Sequence, residues 1–187
     1  MPAFETLLGK IVRALEKNGI SYMVIGGQAV LIHGKPRFTG DIDITLGVNT
    51  DHAEEMFTMV RALSLKPRKY ATKEFVRRNS LLKVEDPKTG MTVDFIFSSL
   101  PYERQAIQRA VPVTIGKASV RFATAEDTII HKLFAGRPLD IADVKGIVNM
   151  RRDLDKVYLK KWLKEFSGVA NRNLLKEYNA IESELKG

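Results

Sequence analysis

Apolar residues recur at helical spacing at the start of the chain, at Phe4, Leu7, Leu8, Ile11, Val12 and Leu15, and predict an amphipathic helix ending near Asn18-Gly19. The apolar run from Tyr22 to Ile25 reads as a short buried strand, which Gly26-Gly27 turns into a helix running to about His33. Gly34 and Pro36 stop that helix. From Asp41 to Leu46 polar and apolar residues alternate with the period of a strand, and Asp51 is placed to cap a helix reaching Leu63. Ser80 to Val84 and Met91 to Phe97 pair across the turn Asp86-Pro87-Lys88-Thr89-Gly90. A helix follows Pro101 to about Arg109, and Val113 to Ile115 pairs with Ser119 to Phe122 around Gly116-Lys117.

Beyond Thr124 the pattern is helical throughout. Thr124 is an N-cap with Asp127 three residues on and opens a helix through Gly136; Pro138 begins a second, Asp155 a third and Asn171 a last. Tyr158, Trp162 and Phe166 form a stripe at i, i+4 and i+8, the spacing of a face packed into a core. The fold class expected is α/β (α+β): a mixed sheet flanked by helices, followed by a C-terminal helical bundle. The organisation expected is a core over residues 1–123, with 124–187 as a helical region packed on it.

Composition narrows this modestly. A chain of 187 residues, 44% hydrophobic and 28% charged, is long enough for a substantial core and ordinary for a globular protein. The absence of cysteine excludes disulfides and thiolate metal sites. No apolar run approaches the roughly 18 residues of a membrane span, and the N-terminal segment is amphipathic rather than a signal peptide, so the cytoplasm is the expected compartment. The net charge of +8 is clustered at Lys66, Arg68, Lys69, Lys73, Arg77 and Arg78, and again at Arg151, Arg152, Lys156, Lys160, Lys161 and Lys164. Such clusters are either solvated faces or surfaces for a polyanion, and with the nucleotide-like motif below they tilt the reading toward nucleic acid.

The chemistry lies in the Asp41-Ile42-Asp43-Ile44 strand and what surrounds it. Successive strand residues face opposite ways, so Asp41 and Asp43 share one face and Ile42 and Ile44 the other. Two neighbouring carboxylates repel, and a hard divalent cation offsets both repulsion and desolvation. Asp94 interrupts the apolar run of Val93, Phe95, Ile96 and Phe97, where a buried strand would carry an aliphatic residue. If its strand lies beside that of Asp41, three carboxylates share one face and suit two Mg²⁺ ions. Gly26-Gly27 lets the backbone approach a phosphate, and the helix it opens offers unspent N–H groups. No Lys-Ser or Lys-Thr follows at P-loop spacing.

Gly-Gly, a helix, then Arg37-x-Thr39-x-Asp41-Ile42-Asp43-Ile44 and a distant strand aspartate together resemble the nucleotidyltransferase fold of the DNA polymerase β superfamily. Lys132 and Asp140-Ile141-Ala142-Asp143 are similar to the lysine and Asp-x-x-Asp motifs of the AbiE-type toxin nucleotidyltransferases of type IV toxin-antitoxin and abortive-infection systems. The resemblance runs from about Tyr22 to Val148. It implies that Asp41, Asp43 and Asp94 hold Mg²⁺ and carry catalysis, that Gly26 and Gly27 cradle the phosphates of a nucleoside triphosphate, and that Lys132 contacts those phosphates. Asp140 completes the pocket, with Arg37 and Thr39 assigned to the nucleotide as well. Many relatives carry Gly-Ser at the position of Gly26-Gly27, so here backbone N–H groups must replace the serine hydroxyl.

The expected activity is transfer of a nucleoside monophosphate to a hydroxyl, on RNA and above all tRNA, with a cognate antitoxin protein as a partner to be tested. Two other readings stay open: transfer to a small molecule such as an aminoglycoside or to a protein side chain, and a catalytically silent member that binds RNA or a protein partner. On its helix Lys132 neighbours Ile129 and Leu133, which suits an inward reach and a snorkelling lysine alike. Asp140 and Asp143 sit one turn apart near a helix start, where compensation of the helix dipole is the competing role, and Arg37 either clamps phosphate or braces its loop. His33, His52 and His131 lack metal-ligand spacing.

Overall fold

Along the strands that carry the candidate carboxylates one face is buried throughout, and this decides which face carries the chemistry. In the computed structural model, which describes residues 2–98 and 100–185 and so leaves Met1, Ser99, Lys186 and Gly187 outside the described residues, Ile42, Ile44 and Leu46 are fully buried while Asp41 is exposed and Asp43 half-buried. Val93, Phe95 and Phe97 on one neighbour, and Leu82 and Val84 on the next, repeat the pattern. The chain divides into two compact units, Met1–Gln28 with Thr39–Ala123, and Ala29–Phe38 with Thr124–Gly187.

The first unit is built on a seven-stranded mixed sheet. Helix α1 (Pro2–Lys17) leads to β1 (Tyr22–Ile25), then α2 (Gly26–His33) and β2 (Asp41–Leu46). A 3-10 turn (Thr50–His52) opens α3 (Ala53–Ala62); β3 (Lys66–Pro67), α4 (Lys73–Asn79), β4 (Leu81–Glu85), β5 (Thr92–Phe97), α5 (Pro101–Arg109), β6 (Val111–Ile115) and β7 (Ala118–Phe122) follow. The strand order is β3-β4-β5-β2-β1-β7-β6. β2 runs parallel to β5 and antiparallel to β1, and β1 runs parallel to β7. β1 is buried on both faces, whereas β2, β4 and β5 keep one face half open.

Two elements depart from the sequence pattern. Asn49, not Asp51, caps the turn before α3, its side chain accepting from the Asp51 N–H at 3.2 Å. The basic stretch 66–78 holds β3 and α4, which periodicity missed because α4 buries only Val76 and is stabilised at its start by Thr72, whose hydroxyl accepts from the Phe75 N–H.

The second unit joins the end of α2 to four helices: α6 (Ala125–Ala135), α7 (Pro138–Met150), α8 (Lys156–Ala170) and α9 (Leu174–Glu184). Thr124 caps α6, Gly136 ends it at φ +65°, Pro138 opens α7 and Asp155 caps α8. The last helix is capped by Asn173, while Asn171 ends α8 in the left-handed region at φ 49°, a conformation asparagine tolerates. The aromatic stripe packs inward: Tyr158 and Trp162 are buried, and Trp162 stacks on Phe166 at 5.8 Å. No helix among the described residues is long and apolar enough to cross a membrane.

Candidate active site

The parallel register of β2 and β5 places Asp43 opposite Asp94 and Asp41 opposite Thr92. Adjacent strands lie about 4.8 Å apart, so the three aspartates occupy one small patch of the half-open face. On the other side of β5 the β4 register adds Lys83 opposite Asp94 and Glu85 opposite Thr92. The Thr92 hydroxyl donates to Asp41 Oδ1. Lys83 Nζ lies 2.9 Å from Asp94 Oδ2, while Asp94 Oδ1 is buried without a hydrogen-bond partner. Burial pushes the Asp94 carboxyl above the ordinary aspartate range despite the opposing pull of Lys83, and the bond to Asp94 raises Lys83 in turn. Among the described residues, no three acidic or imidazole groups stand close enough, as they lie, to grip an ion together.

Gly26 is fixed by its neighbour as much as by its backbone. Its φ is +65°, and a Cβ there would lie 2.0 Å from Asp43 Oδ2. Asp43 therefore reaches the first residue of α2, whose leading N–H groups have no partner within the helix. Gln28 Nε2, one residue past the buried Gly27, donates to the Asp41 carbonyl at 3.3 Å.

Lys132, Asp140 and Arg37 meet in the second unit. Lys132 Nζ lies 2.8 Å from Asp140 Oδ1 and 3.0 Å from Asp143 Oδ2; Lys132 is 6% exposed and Asp140 1%. Arg37 donates from Nε and Nη2 to the two oxygens of Asp143 at 2.8 and 2.9 Å, which raises its already high pKa. Asp140 also accepts from the Arg137 backbone N–H and Nε, so it caps α7 and holds Lys132 at once. Burial alone would raise Asp140 and Asp143; the bonds from Arg137, Arg37 and Lys132 outweigh it and hold both below the usual carboxylate range. Thr39 is half-buried in the loop before β2. His33 is buried and His131 half-buried, and desolvation pushes His131 down.

A family model described as nucleotidyltransferase of unknown function (DUF6036) matches residues 5–185. The chain belongs to the DUF6036 nucleotidyltransferases. Solved structures share the fold of this family member. One is an antigenic nucleotidyltransferase-like protein from Paracoccidioides brasiliensis, with a TM-score of 0.57 at 15% identity over 94% of this chain and 92% of that one. A second is the lincosamide antibiotic adenylyltransferase LnuA bound to lincomycin, at 0.55 and 15%, over 78% and 97%. A third is ANT(2″)-Ia with adenylyl-2″-tobramycin, at 0.53 and 15%, over 97% and 98%. No curated protein matches the chain in sequence.

Two site neighbours in this DUF6036 chain escape a reading of motifs alone. Lys83 and Thr92 carry no motif, and the register that pairs residue 83 with 94 is set by a hairpin closed by Asp86 and Met91, one position off what a turn at residues 86–90 would give. The basic clusters are partly neutralised. Arg68, Lys73 and Arg78 pair with Glu85, Glu54 and Glu74, and Arg151 and Lys156 with Asp153 and Glu182. Lys66, Lys69 and Arg77 are exposed in the first unit, and Arg152, Lys160, Lys161 and Lys164 in the second.

Proposed function

We propose that the protein moves a nucleoside monophosphate from a nucleoside triphosphate to a hydroxyl of RNA, tRNA first, releasing pyrophosphate. The observation that carries this is the register of Asp43 against Asp94 on one half-open face, with Gly26 pressed on Asp43. Hard carboxylate oxygens and the unpartnered Oδ1 of Asp94 suit a divalent cation, and Asp41, Asp43 and Asp94 would hold Mg²⁺. Bound there, Mg²⁺ supplies Lewis-acid polarisation and neutralises triphosphate charge.

The remaining work falls to the chain itself. Gly26, Gly27 and the leading N–H groups of α2 hold the β- and γ-phosphates. Asp94 receives the proton of the attacking hydroxyl at a carboxylate oxygen. Arg37, Thr39, Lys132 and Asp140 are assigned to nucleotide binding, with Lys132 as the cation whose position Asp140 and Asp143 set. The exposed lysines and arginines of the two clusters would track an RNA backbone. A toxin role like that of the AbiE-type enzymes, with an antitoxin partner, goes with this acceptor.

The second reading is transfer to a hydroxyl of a small molecule. It draws on the fold shared with LnuA, bound to lincomycin, and ANT(2″)-Ia, bound to adenylyl-2″-tobramycin. One incubation separates the two: protein, Mg²⁺ and each labelled triphosphate, with total RNA in one arm and lincosamides and aminoglycosides in the other. Label on RNA 3′ ends is expected, and label on the antibiotics alone moves the acceptor to small molecules. If no label transfers and the parent protein binds no triphosphate, the enzymatic reading is abandoned. Asp43→Ala is expected to abolish Mg²⁺-dependent triphosphate binding.

A further inference from the structure

Lys83 is a charged residue on the carboxylate face with no place in the scheme above. It sits on β4 opposite Asp94, its ammonium 2.9 Å from Asp94 Oδ2, with side chains only 29% and 15% exposed. Asp41, by contrast, is engaged by the neutral hydroxyl of Thr92. One carboxylate of the patch thus carries its own cation, and another does not.

We propose that Lys83 is an internal counter-cation of Asp94 which a divalent ion must displace, so that Asp94 takes metal only when a nucleotide arrives with it. The inference rests on the metal-dependent reading of the site given above. An ammonium and a divalent ion on one carboxylate repel strongly in a half-buried setting, so the lysine competes with metal for Asp94. Lysine suits this role because its charge rides on a flexible stem and can leave without disturbing the strand. The triphosphate is the incoming partner that can accept the displaced ammonium. Metal at Asp94 and nucleotide then favour each other, because each removes what opposes the other, and the coupling is reciprocal. Without nucleotide, Asp94 stays neutralised by Lys83 and the third carboxylate is withheld from metal.

The test is Mn²⁺ binding to the full chain, measured by calorimetry with and without a non-hydrolysable triphosphate, for the parent, Lys83→Gln, Lys83→Arg and Asp43→Asn. Lys83→Gln is expected to bind Mn²⁺ about tenfold more tightly without nucleotide, as removal of a nearby like charge should give. It should also lose most of the nucleotide-induced gain in Mn²⁺ affinity. Lys83→Arg keeps the charge and should stay close to the parent. A purely structural role predicts the opposite sign, because a disturbed site binds metal less well. Unchanged or weaker Mn²⁺ binding in Lys83→Gln, with binding lost in Asp43→Asn, overturns this proposal and leaves the metal-dependent reading standing. If Asp43→Asn binds Mn²⁺ as the parent does, the metal site falls and this proposal with it.

Discussion

At Gly26 two constraints coincide: a backbone in the left-handed region and a carboxylate where a side chain would start. Gly19 has a similar φ, +67°, with nothing within 4 Å of its Cβ position, so it provides the control. Gly19→Ala should cost only backbone strain, about 1–2 kcal/mol. Gly26→Ala incurs that strain and also pushes Asp43 aside. It should lose triphosphate binding while Gly19→Ala keeps it, with calorimetric melting showing both variants folded. Equal binding in the two would mean that the Asp43 contact is immaterial to the phosphate grip.

At the scale of elements, the ion network ties α6, α7 and the loop after α2 together. Removing one partner of a buried pair leaves the other charge uncompensated, at about 3–5 kcal/mol. Asp140→Ala takes away a carboxylate that serves both Lys132 and the start of α7, so a loss near the lower end of that range is expected. Trp162, the only tryptophan of the chain, lies on α8 of the same unit, and its fluorescence during urea unfolding reports the loss. The network also fixes a pH dependence. Asp140 and Asp143 have folded pKa values below their unfolded ones, so the stability they contribute is present above the unfolded pKa, about 3.9, and is lost as pH falls through the folded values. Asp94, raised by burial, acts with the opposite sign, and its contribution is lost as pH rises through its folded pKa. Urea midpoints followed at Trp162 should drop steeply below about pH 4 in the parent and less steeply in Asp143→Asn.

For the whole molecule the net charge of +8 argues for a polyanion, yet several of its cations are already paired with carboxylates. Lys160, Lys161 and Lys164 stand exposed on α8. If RNA lies along them, replacing all three by glutamine should weaken binding at every sequence. The slope of log affinity against log salt should also shrink by about 2, given roughly 0.7 per phosphate neutralised on a single strand. Fluorescence anisotropy over a salt series reads this directly. Transfer to an antibiotic should survive the same triple variant, which makes it a second discriminator of the acceptor.

Asp41 and Asp43 were legible on one face because strand alternation is a property of the backbone, and the caps at Thr124 and Asp155 because capping bonds span only three residues. Local patterns of residues therefore define the strand and helix segments on which the motifs lie, and which residues share a face. α4 escaped because one buried valine leaves no periodicity to read. Long-range packing sets β5 parallel beside β2, which is what brings Asp94 to Asp43. It also decided that Arg37 meets Asp143 across 106 residues, that Lys83 neutralises Asp94, and that Gly26 makes room for Asp43. These are contacts between segments distant in the chain or between neighbouring strands. They are set by which apolar faces bury together, and a local pattern of residues records only the face, not the neighbour it finds.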